Sequence, residues 1–413
     1  MASEFQSATS FPKSKINVLL LEKIHPVAEE LFSSDGFNVS TVDRALSEEE
    51  LIKRIPDTHV IGIRSKTKIN ANVLDHAKKL LSVGCFCIGT NQVDLAKANS
   101  LGVPVFNAPF SNTRSVAELI LAEIVVLARQ LGDRSSELHR GIWNKSATGC
   151  HEVRGKTIGI IGYGHIGSQL GVLAEAFGLH VLFHDISKKM PMGNNQAVGS
   201  LKELLSKADF VSLHVPATPE TKGMIGKSEL RSMKPGSCLL NASRGSVVDI
   251  DALAQALKDK HLSGAAVDVY PQEPRTNGQG FESPLCGLDN VFLTPHIGGS
   301  TEEAQAVIGR EVAQATLGFV NTGSTADAVN FPQVDMPLRE GSHRILNTHQ
   351  NVPGVMKSIN QIFSERNANI HAQQLATDDK LGYLVTDLDK KLSVEIRDAI
   401  ASLSTSIRTR ILY

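Results

Sequence analysis

From Ile16 onward, short apolar runs alternate with segments of helical periodicity. Ile16–Leu21, His59–Ile63, Leu81–Gly84 and Val103–Phe106 read as strands buried on both faces, because unbroken apolar runs of that length suit a covered parallel sheet. Helix-like segments between them imply right-handed crossovers. One long helical pattern covers Asn112 to Arg140, with Asn112 and Thr113 as candidate caps. A second series follows: strand Thr157–Ile161, helix Gly164–Phe177, then strands His180–His184, Phe210–His214, Cys238–Asn241, Gly264–Asp268 and Val291–Thr294. Thr301–Phe319 closes it as a helix. Asn321–His343 gathers Gly, Ser, Thr and two prolines with little periodicity, and reads as a linker. The remainder runs strand Arg344–His349, helix Val355–Phe363, strands Ile370–Ala376 and Leu381–Leu388, helix Val394–Leu403 and strand Ser406–Tyr413. The expected fold is therefore α/β, with two doubly wound parallel-sheet (Rossmann-like) domains and a C-terminal βαββαβ ferredoxin-like domain.

A chain of 413 residues exceeds one ordinary core, which agrees with two or three domains. Its 42 Lys and Arg balance 43 Asp and Glu, so no general attraction to nucleic acid or to an anionic membrane is expected. An anionic ligand must be held by a local cluster of bases. The five cysteines (Cys85, Cys87, Cys150, Cys238 and Cys286) are odd in number and lack paired C-x-x-C spacing. They read as reduced thiols of a cytoplasmic protein with no metal site. No apolar run approaches the length of a membrane span, and the start lacks the pattern of a secretory leader. Residues 1–14, rich in Ser and Thr, read as a disordered arm.

Gly162-Tyr-Gly164-His165-Ile166-Gly167 follows a strand, opens a helix, and precedes a second strand that ends at Asp185. In a dinucleotide site the first glycine makes the turn, the second admits the pyrophosphate, and the third lets the helix pack on the strand. The helix amino terminus offers N–H groups to the phosphates. Asp185 would accept from the ribose hydroxyls and repel a 2′-phosphate, which favours NAD over NADP. At His165 the backbone N–H, not the imidazole, is the expected contact.

Three further segments sit at the carboxyl ends of expected strands, where open parallel sheets hold their ligands. They are Asn241-Ala242-Ser243-Arg244-Gly, Asp268-Val-Tyr-Pro-Gln-Glu273-Pro and Thr294-Pro-His296-Ile-Gly298-Gly299. Oxidising a secondary alcohol with NAD requires a base for the hydroxyl proton, and an imidazole titrates in the right range. Glu273 is the candidate partner of His296. Arg244 is the candidate grip for a substrate carboxylate. Asp268 is expected to face the nicotinamide end of the cofactor.

Together these segments resemble the D-isomer-specific 2-hydroxy acid dehydrogenase family. The resemblance implies that Arg244, Glu273 and His296 are catalytic. It implies a cofactor site of Gly162, Gly164, His165, Ile166, Gly167, Asp185, Ala242, Ser243, Arg244, Asp268, His296, Gly298 and Gly299. It also implies a split substrate-binding domain (15–111 and 299–335) around an NAD-binding domain (112–298). Arg64, Lys66 and Lys145, with Arg244, are candidates for binding a phosphorylated 2-hydroxy acid. The tail, 342–413, begins Asn347-Thr-His349-Gln-Asn351-Val-Pro-Gly-Val and resembles an ACT regulatory domain. In the short, serine-inhibited type of this family the effector residues match His349, Asn351 and Asn369, which implies L-serine as effector and a homotetramer. Two alternatives stay open. One is a related dehydrogenase reducing 2-oxoglutarate or glyoxylate, the other an NAD-sensing binding protein or corepressor.

Overall fold

The computed structural model describes residues 11–274, 278 and 280–413. The chain divides into one unit formed by Met1–Ser111 with Gln305–Tyr413 and a second formed by Asn112–Ala304.

In the first unit five parallel strands are ordered β2-β1-β3-β4-β5: β1 (Asn17–Leu21), β2 (Asn38–Val42), β3 (Val60–Ile63), β4 (Ser82–Cys85) and β5 (Val105–Asn107). The unbroken apolar runs of β1, β3 and β4 are buried on both faces, as two-sided coverage requires. β2 was not expected. Its Asn-Val-Ser-Thr-Val sequence is half polar, and it pairs only with β1 at the sheet edge, where one side faces water. Part of the expected arm is ordered: Lys13–Lys15 forms a 3-10 turn, Lys13 pairs with Asp35 at 2.8 Å, and the Phe11 ring lies 5.8 Å from that of His59. Residues 1–10 lie outside the described residues.

The second unit holds a seven-stranded parallel sheet: β6 (Thr157–Ile161), β7 (His180–His184), β8 (Gln196–Ala197), β9 (Phe210–Leu213), β10 (Cys238–Asn241), β11 (Gly264–Val267) and β12 (Val291–Leu293). Its order is β12-β11-β10-β9-β6-β7-β8, so the winding reverses between β6 and β9. Such a switch point is where a doubly wound sheet opens a crevice for a ligand. The helical pattern from Asn112 to Arg140 is not one helix. It breaks at Gln130 (φ 53°) into Thr113–Arg129 and Leu131–His139. The cause is tertiary: Ala128 C=O accepts from His151 N at 2.7 Å and Leu127 C=O from Asn290 Nδ2 at 3.3 Å, so the last carbonyls of the first helix are already paired.

The C-terminal strands β13 (His343–Gln350), β14 (Ile370–Thr377), β15 (Leu381–Leu388) and β16 (Ser406–Leu412) form an antiparallel sheet ordered β14-β15-β13-β16. Helices Val355–Glu365 and Ser393–Ala401 cover one face, burying Ile359, Phe363, Ile396 and Ile400 against Ile345 and Leu384. The other face carries Leu346, Tyr383 and Val385 into the core that holds Phe32, Phe106 and Phe319. Each such fully buried side chain contributes roughly 1.5–3 kcal/mol. This burial explains why all eight residues of β15 are buried.

The expected linker at 321–343 is a packed strap instead. The preceding helix runs on to Thr322, and Phe331 and Val334 are buried. The polar residues that made the segment look loop-like bond inward. Thr325 Oγ1 donates to Pro332 C=O at 2.7 Å and accepts from Val334 N at 2.8 Å. Asn330 accepts from Val105 N at 2.8 Å and donates to Val103 C=O at 3.1 Å. Arg344 locks the junction: it forks onto Asp387 at 2.7 and 2.8 Å and also donates to the carbonyls of Thr322, Met336 and Pro337.

Candidate active site

The glycine loop leaves β6 at the switch point. Gly162 has φ 91°, and a Cβ there would sit 2.3 Å from His214 C=O, so only glycine makes this turn. At Gly167 a Cβ would lie 2.1 Å from Gly162 C=O, which makes it the close helix–strand contact. At Gly164 a Cβ would meet nothing within 4 Å, so the protein leaves that space open beside the first turn of helix His165–Ala176. His165 is exposed at that turn, and Ile166 is half-buried against the core. An open surface over helix N–H groups fits a dinucleotide pyrophosphate.

Asp185 follows β7 and holds the loop from its side. Its Oδ2 accepts from Tyr163 N at 2.8 Å, and its Oδ1 accepts from Ser187 N and Oγ, both at 2.9 Å. Burial pushes its pKa up, but these donors and Lys189 outweigh burial and hold it below the usual carboxylate range. The carboxylate is ionised and keeps lone pairs for further donors.

Past β10, Asn241 ties its own loop. Oδ1 accepts from Ser243 N and Oγ at 3.0 and 2.8 Å, and Nδ2 donates to Arg244 C=O at 3.1 Å. Ala242 is half-buried, and Gly245 is pressed so close to Tyr270 that a Cβ would lie 2.0 Å from its carbonyl carbon. Arg244 donates to Ser243 C=O at 2.7 Å.

His296 Nδ1–H donates to Glu273 at 2.9 and 3.1 Å, with the tautomer assigned from this pairing. Glu273 also accepts from Tyr270 N at 3.1 Å. The bond to Glu273 raises the imidazole's pKa above its ordinary value against burial and the charge of Arg244. Burial pushes Glu273 up, yet His296, Tyr270 N and Arg244 together bring it below its ordinary value. Arg244, Glu273 and His296 are therefore brought into one electrostatic cluster. A cavity of about 520 Å³, lined by Tyr270, Glu273, Phe281 and His296, opens beside the pair.

Asp268 is tied to the loop that carries His296. It is 1% exposed, and its carboxylate accepts from Thr294 Oγ1 at 2.6 Å and from Ile297 and Gly298 N, both at 2.8 Å. Its own carbonyl accepts from His296 N at 2.8 Å, which sets the left-handed turn of His296 (φ 55°). Asp268 is thus the anchor of the His296 loop. Gly299 is packed on Asn112, where a Cβ would lie 2.1 Å from Nδ2. Sequence reasoning also missed Glu123, buried on the inner face of helix Thr113–Arg129 and pushed up to about 8 by burial and then by Asp268. A lone Glu among Ile120, Ile124 and Leu127 was the available signal.

Arg64 and Lys66 lie just past β3 in the first unit, in a loop held by a residue the sequence did not single out. Buried Glu22 accepts from the backbone N–H of Arg64, Lys66 and Thr67 at 3.3, 3.0 and 2.8 Å. Arg64 is half-buried and Lys66 exposed. Lys145 lies in the second unit, exposed in the loop beside Trp143, which is 80% exposed. In the C-terminal domain His349 is buried, its Nδ1 2.9 Å from Asn347 Oδ1, and burial lowers its pKa. Asn351 donates to Asp378 C=O at 2.7 Å, and Asn369 is exposed ahead of β14. No described hydrogen bond joins His349, Asn351 and Asn369 to one another.

The fold and this arrangement define a nicotinamide-dependent α/β oxidoreductase. Residues 121–298 match the NAD-binding domain of D-isomer specific 2-hydroxyacid dehydrogenases, and residues 345–406 match an AHAS small subunit-like ACT domain. The chain is 55% identical to D-3-phosphoglycerate dehydrogenase of Dictyostelium discoideum over 98% of this chain and 99% of that one. It is 52% identical to D-3-phosphoglycerate dehydrogenase of Escherichia coli K12, again over 98% and 99%. The crystal structure of D-lactate dehydrogenase from Aquifex aeolicus, complexed with NAD and lactic acid, superposes with a TM-score of 0.65 at 28% identity, covering 77% of this chain and 100% of that one. The chain belongs to the D-isomer-specific 2-hydroxy acid dehydrogenase family.

Proposed function

We propose that this protein oxidises 3-phospho-D-glycerate to 3-phosphooxypyruvate with NAD, the entry reaction of L-serine synthesis in the cytoplasm. The observation that carries the chemistry is the His296–Glu273 pair, which commits Nδ1 and leaves Nε2 for the substrate hydroxyl. Bound NAD supplies the acceptor for the hydride leaving the substrate carbon. His296 Nε2 takes the hydroxyl proton as the carbonyl forms, and Glu273 stabilises the resulting imidazolium. In reduction His296 gives that proton back. Arg244 holds the substrate carboxylate by its guanidinium fork.

The phosphorylated substrate rests on the full-length likeness to two relatives of that name and on Arg64, Lys66 and Lys145 as phosphate ligands. In the same reading L-serine binds the C-terminal domain through His349, Asn351 and Asn369, and the assembly is a homotetramer.

The test is NADH oxidation with 3-phosphooxypyruvate, 2-oxoglutarate and glyoxylate, each with and without L-serine. Turnover with the first, suppressed by serine, is expected. Turnover confined to the other two would keep the chemistry and discard the substrate. NADH binding with no turnover would make the chain a sensor.

A further inference from the structure

Within the first unit a cavity of about 650 Å³ lies where the edge strand β16 meets the segment before β4. Among the described residues its lining includes Lys13, His59, Lys78, Lys79, Arg408 and Arg410 and no Asp or Glu side chain. Lys13 and Lys79 are answered outside it by Asp35 and Asp57, at 2.8 and 2.7 Å. Lys78, Arg408 and Arg410 have no carboxylate partner among the described residues. Arg408 donates to Leu80 C=O and Arg410 to Val320 C=O at 2.9 Å, so both guanidiniums are fixed in place by neutral acceptors. Arg410 also lies over the Phe319 ring at 5.2 Å, and its Nη1 is buried with no hydrogen-bond partner. His59 Nδ1 accepts from Asn17 N at 3.1 Å, which makes Nε2 the N–H donor of the ring.

An unpaired buried guanidinium nitrogen is costly, and two arginines on alternate positions of one strand repel each other. Burial and the charge of Arg410 lower the pKa of Arg408 to about 10, a sign that this charge is uncompensated. The deficit is for negative charge with several acceptor oxygens. We propose that this cavity is a binding site for a small dianionic oxyanion, of the phosphate-monoester or dicarboxylate class, held by Arg410, Arg408, Lys78 and His59. A bound anion there bridges the C-terminal sheet to the lobe of β1–β5. The site uses none of the residues assigned above to cofactor, substrate or effector, and so stands whatever the substrate proves to be.

The probe is inorganic phosphate added to the full-length protein at ionic strength held constant with sodium chloride. Hydrogen–deuterium exchange then localises its effect, and calorimetry gives its affinity. Saturable protection of residues 78–81 and 406–413 is expected. It should weaken about tenfold in Lys78→Gln, whose side chain is exposed, the loss of one charge-assisted hydrogen bond. Arg410→Lys, which keeps the charge and loses the fork, should also weaken it. Protection elsewhere only, none at all, or equal affinity in Lys78→Gln would overturn the site.

Discussion

His296 Nδ1 lies 2.9 Å from Glu273 Oε2, on a loop whose backbone is set by Asp268. The carboxylate fixes the tautomer and holds the imidazole's pKa above its ordinary value. Glu273→Gln removes that charge and lowers the histidine's pKa. Reduction needs the imidazolium, so its high-pH decline should move to lower pH. Oxidation needs the neutral ring, so its low-pH rise should move the same way. Turnover should fall by up to about 10⁴-fold, as when an imidazole loses its orienting carboxylate. Profiles of kcat in both directions check this, and unmoved limbs would count against the pair.

The two inner glycines of the loop separate folding from binding. Gly164→Ala places its methyl in open space, so stability should change by less than about 1 kcal/mol. NADH affinity should nonetheless drop, because the proposed site puts the pyrophosphate in that space. Gly167→Ala forces a methyl to 2.1 Å from Gly162 C=O, and should cost about 1–3 kcal/mol as well as affinity. Thermal melts with NADH titrations distinguish the two.

Asp185 is ionised and faces further donors with its remaining lone pairs. In the proposed site Asp185→Asn removes the charge that would disfavour a 2′-phosphate. The ratio of kcat/KM for NADPH over NADH should rise. A ratio that stays flat would move the cofactor discrimination elsewhere.

Arg344 and Asp387 are 3% and 2% exposed, and every N–H of the guanidinium is engaged. Arg344→Ala strands a buried carboxylate and should destabilise the first unit by about 3–5 kcal/mol. Replacing both residues with apolar ones of similar size should cost much less. Urea melts of the single and double variants test this, and equal losses would contradict it.

What the sequence made legible follows from where each signal resides. The central strands of both parallel sheets were visible because two-sided burial leaves unbroken apolar runs, whereas the edge strands β2 and β8 were not, and Gly162, Gly164 and Gly167 were visible because each backbone demand is local. β2 was hidden by its exposed edge, and the break at Gln130 by partners from Asn290 and His151 far along the chain. The strap after Thr322 looked like a linker because its polar residues hydrogen-bond inward, which composition does not reveal. Glu22 and Asp268 escaped assignment as anchors for a related reason: a carboxylate that collects backbone N–H groups looks in sequence like any other acid.

The most direct test of the central claim is a single-turnover reduction of 3-phosphooxypyruvate by NADH bound to the His296→Ala protein. NADH binding near that of the native protein is expected, with hydride transfer slowed by about 10²–10⁴-fold. Transfer at the native rate would show that His296 is not the proton donor, and would contradict the mechanism.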